Sequence, residues 1–496
     1  MTETMAPQMS APERYGGLDV MPIAGTWRGG SAGRIGADLD PWSGDTLVEI
    51  PLADAEDVNE AYRLAHEAQP AWAAQPPAAR AEVLRAAAAI FEARRSEIVD
   101  WVVRESGGTV AKGELEWGLV RSVLHEAASM AHHVEGRIMP SDVPGKESRV
   151  YRRPVGVVAV ISPWNFPLQL SARSVAPALA VGNAVVLKPA GDTPVTGGLL
   201  LARIFEDAGL PPGVLNVLIG SGGEIGDALV AHPLARMVSF TGSTAVGEGI
   251  VRKAGIKKVA LELGGNGPLV VLDDADLDRA VDAAVFGSFF HSGQICMIAN
   301  RVIVDASVHD EFVERFVDRV GSLKVGDPSD EGTDIGPVIN RSQLDGIQDK
   351  LARARDEGAE QLLGGDPSGP SGLALPPHVL LAGNDAATAR EEVFGPVITI
   401  IRAAGEDDAL RIANDTEYGL SSAVLTDDAQ RGVRFALSVD AGMTHVNDSP
   451  VNDDANTAFG GEKASGIGRF GGHWAIEEFT TDHWITIQET QRPFPI

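Results

Sequence analysis

Val155-Gly156-Val157-Val158-Ala159-Val160-Ile161 is a continuous apolar run rich in β-branched residues, the composition of a strand buried on both faces. A helical stretch at 171–180 follows it. Then come a second such strand at 183–187, a helix at 197–208, a strand at 214–219, a helix at 224–231, a strand at 236–240 and a helix at 244–254. Strand and helix alternating at this rhythm predict an α/β layer built on a parallel sheet. A further strand at 259–262 ends at Gly264-Gly265, and a new α/β segment opens with a strand at 269–272 and a helix at 276–290.

Upstream, the first fifty or so residues are rich in Gly, Pro and Asp and read as turns with short strands. Residues 53–71 read as a helix. From 78 to 105, Val83, Leu84, Ala87, Phe91, Ile98, Trp101 and Val102 recur at three- and four-residue steps and predict one amphipathic helix, stopped by Gly107-Gly108. Two Gly/Pro/Asp-rich loops, 326–337 and 364–377, interrupt the second α/β segment. In the tail, Thr480, Trp484, Ile485 and Ile487 predict an edge strand for another subunit to take up. No internal repeat is present.

The chain's 496 residues, 44% of them hydrophobic, are ample for about two or three domains with large cores. Its 69 acidic residues outnumber 41 basic ones, for a formal charge of −28, which argues against nucleic-acid or anionic-membrane partners. Residues 1–15 are polar and show no basic start with an apolar stretch, and no run approaches the ~18 apolar residues that span a bilayer. With a single cysteine, this predicts a reducing cytoplasm.

That cysteine, Cys296, lies in Phe289-Phe290-His291-Ser292-Gly293-Gln294-Ile295-Cys296-Met297. It has no partner for an intramolecular disulfide, so it is an inert buried thiol or a nucleophile. Asn165, in Pro163-Trp164-Asn165-Phe166-Pro167, is a structural turn residue or an amide donor for an oxyanion. Glu262, in Val259-Ala260-Leu261-Glu262-Leu263-Gly264-Gly265, faces solvent or stands near a site, where desolvation would suit it as a base. Lys188 closes a strand at the end where α/β sheets bind ligands. Gly220-Ser221-Gly222-Gly223-Glu224-Ile225-Gly226 misses the G-x-G-x-x-G spacing at Ile225. Phe240-Thr241-Gly242-Ser243-Thr244 begins like a P-loop but has Glu248 where the lysine would stand. Each joins a strand to a helix, where backbone N–H groups can hold a pyrophosphate. Glu391-Glu392-Val393-Phe394-Gly395-Pro396 alone reads as surface.

In order along the chain, Pro163–Pro167, Leu187-Lys188-Pro189, Phe240–Ser243, Leu261–Gly265, Gly293–Cys296, Glu392–Pro396 and Phe459-Gly460-Gly461-Glu462-Lys463-Ala464-Ser465-Gly466 resemble the aldehyde dehydrogenase superfamily from about residue 20 to the end. The resemblance implies a Rossmann-type cofactor domain (1–130 and 155–263), an α/β catalytic domain (264–462), and a β-hairpin oligomerisation arm and tail (131–154 and 463–496). It implies a Cys296 nucleophile, an oxyanion held by Asn165 and the Cys296 N–H, and Glu262 as the base that releases the acid. It places Ser162, Trp164, Lys188, Gly222, Gly242, Ser243, Leu263, Glu392 and Phe394 on an NAD or NADP cofactor, calls for no metal, and implies a homodimer or homotetramer. Three departures stand out: Gly191 where many NAD-preferring members carry a ribose-binding glutamate, Asn266 where a lysine is usual, and Phe470 where some members have a second acidic residue.

The segments 167–177, 294–297 and 447–453 are most similar to the benzaldehyde and vanillin dehydrogenase branch. That likeness implies an aromatic aldehyde substrate in a tunnel lined by Phe166, Leu170, Phe290, Ile295 and Phe459. The alternatives are a semialdehyde or aliphatic aldehyde dehydrogenase, a CoA-acylating relative, a cysteine hydrolase using His291, and a non-catalytic binding protein.

Overall fold

A computed structural model describes residues 13–496. Residues 1–12 lie outside the described residues, so the polar leader and the start of the turn-rich segment are not addressed by it. From Glu13 onward the turn-and-strand expectation holds, with antiparallel pairs Met21–Ile23 with Thr26–Arg28 and Ile35–Leu39 with Thr46–Pro51.

The alternating stretch forms β1 (Val157–Ile161), α1 (Pro167–Ala180), β2 (Ala184–Lys188), β3 (Leu215–Val217), α2 (Gly222–Ala231), β4 (Ala235–Thr241), α3 (Thr244–Ala254) and β5 (Lys258–Glu262). These strands are parallel and lie in the spatial order β5-β4-β1-β2-β3. The chain runs from β1 outward through β2 and β3, then crosses to β4 on the other side of β1. That reversal opens a crevice at the carboxyl ends of β1 and β4, the position where such sheets take ligands. The helix expected at 197–208 begins as a π-helical turn, Val195–Leu199, before Leu200–Asp207. The buried Glu105 carboxylate accepts from the Val195 and Thr196 N–H groups (2.6 and 2.7 Å), holding that wide turn in place.

Sequence and structure differ in three places. The helix expected over 78–105 is two, Pro77–Ala93 and Arg95–Ser106, broken at Arg94 (φ −103°, ψ 18°). Arg94 binds Glu97 within its own turn, but it also stacks over Tyr15 at 3.6 Å and donates to the Glu13 carbonyl, long-range contacts that no local periodicity signals. Helix Val110–Met130 has no counterpart among the sequence-based expectations. Residues 463–478 do not lie wholly with the tail: Gly466–Ile467 pairs antiparallel with β5 as a sixth strand of the first sheet.

The second sheet has seven strands in the order Glu360–Leu363, His378–Leu381, Val397–Ala403, Arg301–Asp305, Pro268–Val271, Ser421–Leu425 and Met443–Val446, parallel except for the first pair. The tail strand Thr480–Gln488 pairs along its length with Lys146–Pro154, which pairs in turn with Arg137–Met139. The tail is thus an edge strand, as expected, of a three-stranded sheet, and Trp484, Ile485 and Ile487 on it are exposed. Among the described residues, no helix is long and apolar enough to cross a membrane.

Candidate active site

Four of the side chains singled out from sequence stand at the carboxyl edge of the first sheet. Asn165 lies in the loop after β1, Lys188 ends β2, Gly242-Ser243 joins β4 to α3, and Glu262 ends β5. Cys296 arrives from the other layer, in the connection between helix Leu277–Phe289 and strand Arg301–Asp305. The site therefore lies where the two sheets face each other.

The cysteine loop is held in an unusual backbone. His291, Ser292 and Gly293 have φ of +50°, +54° and +70°, and the first two are not glycine. Such conformations cost of order 1 kcal/mol each and persist only when the surroundings enforce them. The enforcing contacts are visible: Ser292 Oγ donates to Gly336 O (2.9 Å), Ile339 N–H donates to Gln294 Oε1 (2.9 Å), and Asn165 Nδ2 donates to Gln294 O (2.9 Å). The loop 326–337 thus braces the cysteine. Gly265 belongs to the same clamp, because a Cβ there would meet Cys296 O at 2.0 Å.

Asn165 spends one amide N–H on Gln294, which fixes its plane and leaves the other for the cavity it lines beside Cys296. Cys296 is half-buried, and burial followed by the Glu262 charge pushes its thiol up to about 12. Glu262 is buried with neither oxygen hydrogen-bonded, and burial pushes it up to about 8 against the opposing charges of Arg173 and Arg469. Buried carboxylates without a hydrogen-bond partner are rare in native folds, and a catalytic role is one reason they persist.

Cys296 and Asn165 open on a cavity of about 140 Å³ whose wall includes Phe166, Leu170, Ile295 and Phe459, four of the five residues expected there. Phe290 is the exception. Its ψ of 137° turns it out of the helix ending at Phe289, so it stacks behind Phe286 (4.9 Å) while Phe286 faces the cavity. Residues i and i+4 share a helical face, so periodicity alone cannot choose between these two rings. Leu115 and Leu119, from the unanticipated helix, complete the apolar wall, and Gln169, Arg173 and Asp453 supply its polar side. His291 is not on this wall. It is buried edge-on against Phe166 (5.5 Å), with burial and the Lys112 charge holding its pKa well below the usual imidazole range.

The candidate nucleotide residues divide into two groups. Lys188 and Gly222 line a second cavity of about 210 Å³ with Gly191, Pro194 and Ser221. Burial lowers the Lys188 ammonium to about 8. Ser162 lies just beyond β1 with its Oγ 2.6 Å from Ser171 Oγ, and exposed Ser243 stands at the N-cap position of α3 with its hydroxyl making no capping hydrogen bond. Gly242 N–H donates to Glu262 O (3.0 Å), and Leu263 packs under Gly247. Nearer the cysteine, Trp164 meets Phe394 edge-on at 5.3 Å, and Glu392 accepts from Gly265 N–H (2.9 Å). Phe394 has φ +57°, a further non-glycine residue in the left-handed region. The acidic pair splits: Glu391 faces out and takes both Arg353 Nη atoms (2.7 and 2.8 Å), whereas burial raises inward-turned Glu392 to about 7.

The family model described as "Aldehyde dehydrogenase family" matches residues 27–485. The chain belongs to the aldehyde dehydrogenase family. This dehydrogenase is 51% identical over 484 residues to a vanillin dehydrogenase of Corynebacterium glutamicum, covering 96% of this chain and 99% of that one. It is 47% identical to a benzaldehyde dehydrogenase of Bacillus subtilis over 97% of this chain and 99% of the relative. The crystal structure of an NAD-dependent benzaldehyde dehydrogenase from Corynebacterium glutamicum superposes with a TM-score of 0.88 at 49% identity, covering 95% and 97% of the two chains.

The residues present fit a dinucleotide. Gly191 and Gly222 leave open space where a Cβ would project, beside Lys188 and the start of α2. At the other end, a Cβ on Gly264 would lie 2.8 Å from Glu392 Oε2, so the glycine leaves room for that carboxylate beside the β5 turn.

Proposed function

We propose that this dehydrogenase oxidises an aromatic aldehyde of the benzaldehyde or vanillin type to its carboxylic acid, with NAD or NADP as acceptor and water, not CoA, releasing the product. The observation that carries the reading is the apolar 140 Å³ cavity with the Cys296 thiol and the Asn165 amide on its wall. A cavity of about 150 Å³ lined by aliphatic and phenylalanine side chains is large enough for a benzene ring. The vanillin and benzaldehyde dehydrogenases among the relatives point to the same substrate class.

Cys296 gives up its thiol proton to solvent, its thiolate adds to the aldehyde carbon, and the resulting oxyanion accepts hydrogen bonds from the free Asn165 amide N–H and the Cys296 backbone N–H. A nicotinamide, when bound, would supply the hydride acceptor for oxidation of that adduct to a thioester. Glu262, once ionised, takes a proton from water as that water attacks the thioester carbon, and the thiol is released with the acid. Lys188, Ser162, Gly222, Gly242, Ser243 and Leu263 hold the nucleotide, and Glu392, Trp164 and Phe394 shape the nicotinamide end. Burial of His291 away from the cavity wall counts against a cysteine hydrolase with a histidine base.

The exposed apolar side chains on Thr480–Gln488, at an open sheet edge, support a homodimer or homotetramer built through this arm. A lone free thiol fits a reducing cytoplasm. The test is a panel of benzaldehyde, vanillin, aliphatic aldehydes and a semialdehyde, each with NAD and NADP, alongside Cys296→Ser. Highest kcat/KM on the ring aldehydes and no oxidation by Cys296→Ser are expected. Preference for a semialdehyde, or a fully active serine variant, would overturn the assignment.

A further inference from the structure

Arg173 is the one cation on the cavity wall among the described residues, and its surroundings are unusual. It lies two helical turns beyond Phe166 on the cavity-facing side of α1, 4% exposed. Its guanidinium sits over the Phe459 ring at 4.0 Å and the Phe470 ring at 5.4 Å. Neither Nη atom makes a hydrogen bond. The nearest acid, Asp453, has Oδ2 3.5 Å from Nη1 and is itself committed to Gln169 Nε2 at 3.1 Å. A structural arginine at such burial normally has its N–H groups satisfied. Arg469, the other cation near Glu262, shows the contrast: it is half-exposed, paired with Glu462, and donates to the Gly461 and Gly468 carbonyls.

We propose that Arg173 is a positioning charge that makes Cys296, on the same cavity wall, ionise more readily, and that Asp453, also on that wall, acts in the opposite sense. The inference rests on the nucleophile role given to Cys296 above. A charge that is buried against two aromatic faces, and whose ion-pair partner Asp453 makes no hydrogen bond to it, acts on its neighbours through a lower dielectric than a surface charge would. Arginine suits the place because its planar cation stacks on a ring and stays charged when buried. The charged and titratable groups around Cys296 are Glu262 from β5, Arg173 from α1, Glu392 from the loop ahead of Val397–Ala403, and Asp453. Among the described residues Arg173 is the only cation of this set, and it shares the cavity wall with the thiol.

The experiment is alkylation of the single thiol by uncharged iodoacetamide at pH 8, in full-length enzyme free of cofactor and aldehyde, followed by intact mass. Below the thiol's pKa the rate rises with the thiolate fraction, and the greater nucleophilicity of a more basic thiolate offsets part of an upward shift, so one unit slows it about threefold. Arg173→Met is expected to slow alkylation by about threefold or more, the size of losing an opposite charge from the site's vicinity. Arg173→Lys should stay within about twofold of native, and Asp453→Asn should match or exceed the native rate. A Met variant that slows less than this, or reacts faster because the cavity has widened, overturns the proposal. So does a Lys variant as slow as Met, or an Asp453→Asn variant that is slower than native. Arg173→Gln gives the same readout should the Met variant not fold. Because alkylation requires no turnover, failure here is separable from failure of native enzyme to oxidise aldehydes.

Discussion

Replacement of Glu262 by Gln removes the one carboxylate at the end of β5 while keeping its size. Burial holds this group at about 8, so at pH 7 about one molecule in ten carries the ionised base, and at pH 9 about nine in ten do. If thioester hydrolysis limits turnover, native kcat should climb about tenfold between pH 7 and 9 along a limb centred near 8. The sign is fixed by the role: a base works only when deprotonated, so activity is lost as pH falls. General-base assistance is worth about 10²–10⁴-fold, and Glu262→Gln should lose that factor in kcat. It should still release a first equivalent of reduced cofactor and accumulate a mass adduct on Cys296. The measurements are kcat against pH, a rapid-mixing burst at 340 nm and intact mass after quench. A native profile flat from pH 6 to 9, or a glutamine variant turning over at the native rate with no adduct, would refute the assignment.

Two other sites give sharp expectations. Gly191→Glu adds a carboxylate into open space beside Lys188 and should lower the NADP-to-NAD ratio of kcat/KM by about tenfold, or 1.4 kcal/mol; an unchanged ratio would show that this wall does not select the cofactor. Lys112 and Glu116 form a fully buried ion pair at 2.5 Å, and Glu116 Oε1 also accepts from Leu168 and Gln169 N–H at the start of α1. Lys112→Met should therefore destabilise by about 3–5 kcal/mol, because an uncompensated carboxylate is left inside. Lys112→Met with Glu116→Gln should recover part of that loss, and a native denaturation midpoint for the single variant would contradict the reading.

Local pattern sufficed wherever one residue's role follows from its neighbours in the chain. The run Val155–Ile161, the strand–helix rhythm to Ala254 and the glycine turns specify a parallel sheet, because burial on both faces and strand-to-helix connections leave their mark residue by residue. Cys296, Asn165 and Glu262 stand in recognisable motifs, and the fold brings the first from one layer to the other two on the edge of the first sheet. The break at Arg94 was not legible, since its cause is Tyr15 and Glu13, some eighty residues away in sequence. Nor was the choice of Phe286 over Phe290, which turns on where a helix ends by a single residue.

What the amino-acid order determined on its own was the architecture and the reactive groups. Only the tertiary structure decided their condition: Glu262 desolvated and unpartnered, Glu391 turned out while Glu392 turned in, and Arg173 enclosed between rings beside the thiol. The physical reason is that strand and helix patterns are short-range, whereas desolvation and charge proximity depend on which distant segments close over a side chain.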